Sequence, residues 1–207
     1  MSQTEVQLIK SSSVEDGDIV GLSSSKLSGA LPAISGASLT GITTGKILQV
    51  KQVVKTDTFS LAASSTNQRI DITGLTIDIT PSSASNKILV DYRVNTHGPN
   101  GAYRVMIHLM RGSSDIYIGD QDSGQNNQIR CSNHLITGND GVGGARSTDL
   151  NGQFLDSPST TSATTYKLQL HARTSGSTYY INRGSYSSND AYVGRQPSHI
   201  TLMEVSV

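Results

Sequence analysis

The chain has 207 residues with 16 Lys and Arg against 16 Asp and Glu, and only 35% of its residues are hydrophobic. This length allows one sizeable β domain and an extension. Zero net charge without a basic run argues against nucleic-acid binding, because affinity for a duplex depends on an excess of Lys and Arg. A single cysteine, Cys131, excludes an intramolecular disulfide, and no stretch approaches the roughly 18 to 20 apolar residues of a membrane span.

Residues 1–22 combine an acidic patch with two short apolar islands and are too short to form a core. Two interpretations stay open: an attachment arm that becomes ordered on a partner, or a frayed terminus. In the first, the anchors are the apolar side chains Val6, Leu8, Ile9 and Ile19. The N-terminus lacks the residue order of a signal peptide, so we expect the protein to stay where it is made or to leave inside an assembly.

Residues 23–45 repeat a short pattern of an apolar residue, a hydroxyl residue and a glycine. Pro32 and the glycines exclude a long helix. The segment has too little apolar surface to fold alone, and a flexible linker is the alternative interpretation. Regularly placed apolar residues argue against a linker and predict a trimeric stalk in which identical chains share an axis: Leu27, Leu31, Ile34, Leu39 and Ile42.

Residues 46–207 read as one head domain of strands and polar turns, with no helix. Strands are predicted at 47–54, at 69–73, again at 75–80 after Gly74, and at 87–95. In the last of these, Ile88, Val90, Tyr92 and Val94 share a face. The stripe Val105, Ile107 and Leu109 comes next, and a turn before Ile116 predicts a hairpin. Short strands at such intervals predict an all-β fold, an antiparallel jelly roll or β-sandwich.

The second half of the head alternates loops with strands. Residues 119–161 are rich in Gly, Asn and Ser, and we predict long surface loops there, interrupted by one strand at 129–136. A clear alternating strand at 166–172 is predicted to pair with residues 179–183 across a tight turn.

The closing strand, 198–207, carries apolar residues on both faces. Ile200 and Leu202 lie on one face, and Met203 and Val205 on the other. A strand that is apolar on both faces is expected to be buried on both, in the middle of a sandwich or at a subunit interface.

Enzymatic chemistry is not expected. Glycan hydrolysis typically uses paired carboxylates. The chain has only three glutamates, and they are not placed as a pair: Glu5 and Glu15 lie in the arm, and Glu204 lies on the closing strand. No serine has the surroundings of a nucleophile elbow. We therefore expect no catalytic residue and no cofactor.

Two patterns could have indicated a metal. Residues 120–126 faintly resemble a calcium loop, but the glycine stands one position early and no glutamate closes the loop, so a solvated loop is favoured. Three copies of His108 or His171 on a three-fold axis could bind a metal ion. A hydrogen-bonded or exposed histidine is the favoured interpretation, and no metal site is expected.

Four tyrosines crowd the last third of the chain near Asn, Asp and Arg side chains. They are candidate receptor contacts, because tyrosine stacks with its face and hydrogen-bonds at its rim. Packing in the core or at an interface is the alternative and stays open for all four: Tyr179, Tyr180, Tyr186 and Tyr192.

The stretches 31–42, 45–50, 80–90 and 198–205 together resemble bacteriophage tail-fibre proteins, of the kind common in phages of cyanobacteria. The resemblance covers roughly residues 27–207. It implies a homotrimeric virion protein, assembled in the host cytoplasm, with a jelly-roll head like that of the complement and tumour-necrosis-factor group.

The resemblance leaves two places on the particle open. A tail fibre would bind a tail or baseplate protein through its arm and a host-surface glycan through its head. A capsid decoration (cement) protein would use the same trimeric head and arm to brace the major capsid protein. Neither place implies nucleic-acid binding or membrane insertion.

Overall fold

The computed structural model describes residues 47–99, 103–137, 147–185 and 194–207. All of them belong to one unit, Thr43–Val207. The predicted arm and stalk, with their anchor residues, lie outside the described residues. Within the described ranges the chain forms antiparallel strands in two sheets and no helix, which confirms the all-β sandwich prediction.

Each sheet draws its strands from the whole length of the head. Sheet A contains β1 (Ile47–Lys55), β2 (Phe59–Ala62), β4 (Lys87–His97), β8 (Thr148–Asp156), β10 (Thr178–Ile181) and β11 (Ser198–Val205). Sheet B contains β3 (Gln68–Ile79), β5 (Tyr103–Arg111), β6 (Ser114–Ile116), β7 (Asn133–Thr137) and β9 (Thr164–Ala172).

Long central strands organise both sheets. In sheet A, β4 pairs with β8 along one edge and with β11 and then β10 along the other, and β1 and β2 lie outermost. In sheet B the order is β3, β9, β5, and both β6 and β7 pair with the far edge of β5. The predicted hairpin is therefore present: β5 and β6 are joined by a tight turn in which Gly112 has a φ of +58°.

The core lies between the inner faces of the two sheets. The predicted stripe on β4 is confirmed, with Ile88, Val90, Tyr92 and Val94 all buried. The same alternation buries the inner side chains of β5 and β9: Val105, Ile107, Leu109, Tyr166, Leu168 and Leu170. Period-two spacing places these residues on one face of each strand, so packing the two faces together excludes water from both.

β3 shows why the sequence has two alternating runs around Gly74. The pairing with β9 shifts between Asp71 and Thr76, and Gly74 has a φ of +87°. Such a bulge changes the parity of the strand, so Ile72 and Leu75 both reach the core although they are three residues apart. The two predicted runs are thus one strand with an irregularity.

The predicted pairing of residues 179–183 with 166–172 is wrong. β9 lies in sheet B, whereas β10 pairs with β2 and β4 in sheet A. The chain between them crosses from one sheet to the other and is held by hydrogen bonds between Ala63 and the segment at Gly176 and Ser177. Alternation identifies a strand but does not say which sheet it joins.

The loop region 119–161 contains a strand that the sequence analysis missed. β8 pairs with β4 over its full length, and β7 covers Asn133–Thr137 rather than the predicted 129–136. The inward position between Leu150 and Phe154 is Gly152, where alternation would require an apolar side chain. Gly152 leaves room for the ring of Tyr92, whose hydroxyl donates a hydrogen bond to Asn133 on the opposite sheet.

We expect Gly152→Ala to destabilise the head by about 2 kcal/mol, a typical cost of overpacking. A Cβ at position 152 would lie 2.6 Å from the Tyr92 hydroxyl oxygen, so the ring would have to move away from Asn133. Urea unfolding measures the effect. Gly194→Ala is the matched control, because a Cβ there meets nothing within 4 Å. Equal stability of the two variants would contradict this account of Gly152.

A buried carboxylate joins the closing strand to the turn between β3 and β4. Glu204 is 1% exposed. One of its oxygens accepts hydrogen bonds from the backbone N–H of Ser82 at 2.6 Å, the hydroxyl of Ser82 at 2.7 Å and the amide of Asn86 at 2.6 Å. The other oxygen accepts from the amide of Gln49 on β1 at 2.6 Å. Two separate parts of the chain, the turn between β3 and β4 and strand β1, are therefore fixed to β11 by one side chain.

Candidate functional site

The outer face of sheet A carries a row of apolar side chains that crosses four strands. Val50 on β1 pairs with Met203 on β11, Met203 with Leu89 on β4, and Leu89 with Leu155 on β8. Val50 is 58% and Leu155 45% exposed, and the two central side chains are half-buried. We call these four residues the apolar row.

The apolar row continues toward the beginning of β1. Ile47 pairs with Val205, and Ile47 and Leu48 are both about half exposed, at 54% and 48%. The opposite end of the same face is polar, with an ion pair between Arg93 and Asp149 at 2.5 Å. An apolar patch with a polar border on an otherwise hydrophilic protein is typical of an interaction surface.

The expected burial of both faces of the closing strand is found for only one face. Leu202 is fully buried in the core, as predicted, but Met203 on the other face is only half-buried in the single chain. The reason is that no second layer of this chain's described residues covers the outer face of sheet A. The alternative interpretation of the sequence, burial at a subunit interface, would complete the covering of Met203.

The tyrosines divide between the core and the surface. Tyr179 is fully buried, and its hydroxyl accepts a hydrogen bond from the backbone N–H of Thr174 at 3.1 Å. Packing is therefore its role in the head, and the expectation of a receptor contact is wrong for this residue. Tyr180 is half-buried and its ring lies 4.9 Å from the Arg183 guanidinium, an arrangement typical of a cation–π contact. Tyr186 and Tyr192 lie outside the described residues.

The two histidines of the sequence analysis form a buried network on the outer side of sheet B. His108 Nε2 lies 3.0 Å from His171 Nδ1, and His108 Nδ1 lies 2.9 Å from an Asp115 oxygen. Arg69 completes the network with two hydrogen bonds to Asp115. Both nitrogens of His108 are thus engaged by protein atoms, which supports the favoured hydrogen-bonded interpretation of this residue over a metal site.

The environment of this network keeps its histidines neutral. Burial, followed by the charge of Arg69, lowers the pKa of His108 even though Asp115 opposes the change. For His171, burial and then the neighbouring His108 and Arg69 lower the pKa to about 4. At neutral pH the cluster is therefore a fixed hydrogen-bonded brace between β3, β5 and β9.

The loop that faintly resembled a calcium site is exposed to solvent at residues 119–128. Its carboxylates have protein partners: Asp120 pairs with Arg130 at 3.2 Å, and Asp122 accepts a hydrogen bond from Gln128 at 3.0 Å. In the part of the chain that the structure describes, no three His, Cys, Asp or Glu side chains cluster as metal ligands would. Nor do the described residues include a helix that could cross a membrane.

Comparison with known proteins gives likenesses of fold but no family. No protein-family model matches the sequence, and no curated protein matches it. A chain of infectious bursal disease virus (Gt strain) is 15% identical, with 77% of this chain and 38% of that chain covered and a TM-score of 0.38. This chain therefore spans about two fifths of the length of that viral chain.

Two further structures show a weaker similarity. The tripod from the baseplate of bacteriophage Tuc2009 is 12% identical, with 92% of this chain and 85% of that chain covered and a TM-score of 0.25. The CBM6 of LamC, a laminarinase from Zobellia galactanivorans, is 12% identical, with 75% and 99% covered and a TM-score of 0.28. All three TM-scores lie below 0.5.

Proposed function

We propose that the chain is a structural protein of a bacteriophage particle: a homotrimeric tail fibre whose head contacts the host surface. The observation that carries the proposal is the apolar row on the outer face of sheet A. It crosses the closing strand, β11, and three further strands of the sheet, β1, β4 and β8. A head that places Met203 and Val50 against a second copy gains the apolar burial that a single chain does not supply.

A second observation supports the resemblance to phage fibres. Two stretches that carry it, 80–90 and 198–205, meet in the structure: β4 pairs with β11, and Glu204 binds Ser82 and Asn86. These two stretches therefore form one structural unit, in which the turn before β4 is fixed to β11. The proposal assigns the chain no catalytic activity.

We expect deletion of residues 1–22 to leave a folded trimer that no longer joins particles. The arm carries apolar anchors but cannot form a core, so its binding energy would come from ordering on a preformed surface. The copy number of the truncated chain in purified particles measures this. Replacing Val6, Leu8, Ile9 and Ile19 by Ser should have the same effect, whereas replacing Ser11, Ser12 and Ser13 by Ala is the matched control and should incorporate normally.

One outcome of the same experiment would favour the second place on the particle. If the truncated trimer incorporates at the normal copy number, attachment lies in the head. That result would contradict the fibre arrangement and favour a cement protein, because a head that binds the shell directly is a brace.

A further inference from the structure

A cleft on the outer side of sheet B, apart from the surfaces described above, is rich in arginine. Its volume is about 530 Å³, within the range typical of ligand sites. One wall is formed by β5 and the residue that follows β9, and the other by the loop 117–132 between β6 and β7. Three of the lining side chains are guanidinium groups, those of Arg104, Arg130 and Arg173.

Two of these arginines flank the last residue pair between β5 and β9. Val105 on β5 pairs with Ala172 on β9, Arg104 precedes Val105 and Arg173 follows Ala172, and both arginines line the cleft. Like charges that line one cleft repel each other. Among the described residues, neither guanidinium has a carboxylate within ion-pair distance. Their mutual repulsion is therefore not compensated there by the protein.

The third arginine is held in place by the loop. Arg130 donates through Nε to the carbonyl of Gly119 at 2.7 Å and through Nη2 to Asp120 at 3.2 Å. Asp120 contributes the one carboxylate among the described lining residues, and its side chain is 98% exposed. Three guanidinium groups against one solvated carboxylate leave the cleft positively charged.

The electrostatic effect of this charge is visible on neighbouring histidines. Burial and then the charge of Arg104 lower the pKa of His134, which also lines the cleft. Arg173 is among the groups that lower the pKa of His171. Both effects indicate a positive potential that disfavours a further cation and favours an anion.

The remaining lining residues suit a saccharide. Ile129 is half-buried, so part of its apolar side chain is accessible in the cleft to the face of a sugar ring. Asn127 and Gln128 supply amides at the rim for hydroxyl groups. The backbone of this loop is already ordered by hydrogen bonds, one of them from Gln121 to the carbonyl of Gln128 at 2.6 Å, so little ordering is required on binding.

We propose that this cleft binds an acidic saccharide, with Arg104 and Arg173 holding its carboxylate or phosphate group. Guanidinium groups bind both anions through paired, charge-assisted hydrogen bonds. The choice of a saccharide rests on the proposed function in host attachment, whereas the anion site rests on the arginines themselves.

Titration calorimetry of the full-length protein tests the proposal with three probes. Trigalacturonic acid carries carboxylates, mannose 6-phosphate carries a phosphate, and maltotriose is neutral. We expect at least one acidic probe to bind, with an affinity that falls as salt rises, and maltotriose not to bind. Which acidic probe binds identifies the source of the anion. Failure of both acidic probes, or equal binding of maltotriose, would overturn the proposal.

Variants then locate the site. Arg104→Gln and Arg173→Gln should each weaken binding of the acidic probe by about tenfold or more, without lowering the melting temperature, because each removes a repulsion. Arg195→Gln, an exposed arginine outside the cleft, is the matched control and should bind as the parent does. Equal weakening in all three variants would show nonspecific attraction and reject the site.

The outcomes distinguish this inference from the proposed function. A chain that binds an acidic probe through Arg104 but is absent from purified particles would reject the proposed function and retain the anion site. A chain that is present in particles but binds neither acidic probe would reject the anion site alone.

Discussion

A Leu202→Asp chain should fail to fold, whereas Met203→Asp should give a folded head that associates far more weakly. The two residues are adjacent on β11 but face opposite sides of sheet A. Leu202 is fully buried in the core, so an aspartate there loses the packing of the leucine and buries an unpaired charge. The combined cost of about 5 kcal/mol or more is comparable to the whole stability of a typical domain.

Met203 stands in the middle of the apolar row and is half-buried in a single chain. An aspartate at this position stays solvated in the monomer but loses its hydration when a second copy covers the face. We expect a normal far-UV circular dichroism spectrum and a trimer that dissociates at a concentration over a hundredfold higher, from a cost of about 3 kcal/mol per interface. Met203→Leu is the matched control and should associate normally.

Two results would contradict this account of β11. A soluble, folded Leu202→Asp protein would show that the strand is misplaced. An unchanged association constant for Met203→Asp would show that the outer face of sheet A does not form the interface.

Replacing Glu204 by Gln should lower the free energy of unfolding by about 2 to 3 kcal/mol at neutral pH, the scale of hydrogen bonds to a buried charged group. The carboxylate accepts four hydrogen bonds, from Ser82, Asn86 and Gln49. A glutamine amide places a donor where one of these donors already points, so at least one buried group loses its partner. Asp78→Asn, a change in an exposed carboxylate on β3, is the control and should alter stability by less than about 0.5 kcal/mol.

The pH dependence of this difference follows from the same contacts. Burial raises the pKa of the Glu204 carboxyl, but the hydrogen bonds from Asn86, Gln49 and Ser82 outweigh it and lower the pKa from 4.5 to about 2. Because the pKa is lower in the folded state, this carboxylate stabilises the fold fully above pH 4.5 and loses that contribution as the pH falls through about 2.

Urea unfolding at several pH values therefore separates the parent from Glu204→Gln. The difference in their free energies of unfolding should be largest near neutral pH and should shrink as the pH falls from 4.5 toward 2. A difference that stays constant over this range would show that the ionised carboxylate is not what holds the turn.

The fold class could be predicted because apolar and polar residues alternate along the sequences of the strands. β4 and β9 place their apolar residues at every second position, and the core follows from that spacing. β8 was missed because its inward position is Gly152, whose absent side chain makes room for Tyr92. The sequence of residues 148–156 does not show that the ring of Tyr92, on another strand, fills the space beside Gly152.

The surfaces were less predictable because they depend on which strands become neighbours. The apolar row needs the register of β1, β11, β4 and β8, and the arginine cleft needs that of β5 and β9. Tyr179 was misjudged for the same reason, since only the pairing of β10 within sheet A shows that its ring faces the core. Sequence spacing alone does not carry these long-range pairings.

Sedimentation equilibrium of the full-length protein tests the central claim, assembly through the outer face of sheet A, most directly. The chain mass is 21.9 kDa. The account predicts a mass three times that value at micromolar concentration, and a lower average mass for Met203→Asp under the same conditions. A parent protein that sediments with the mass of a single chain would contradict it.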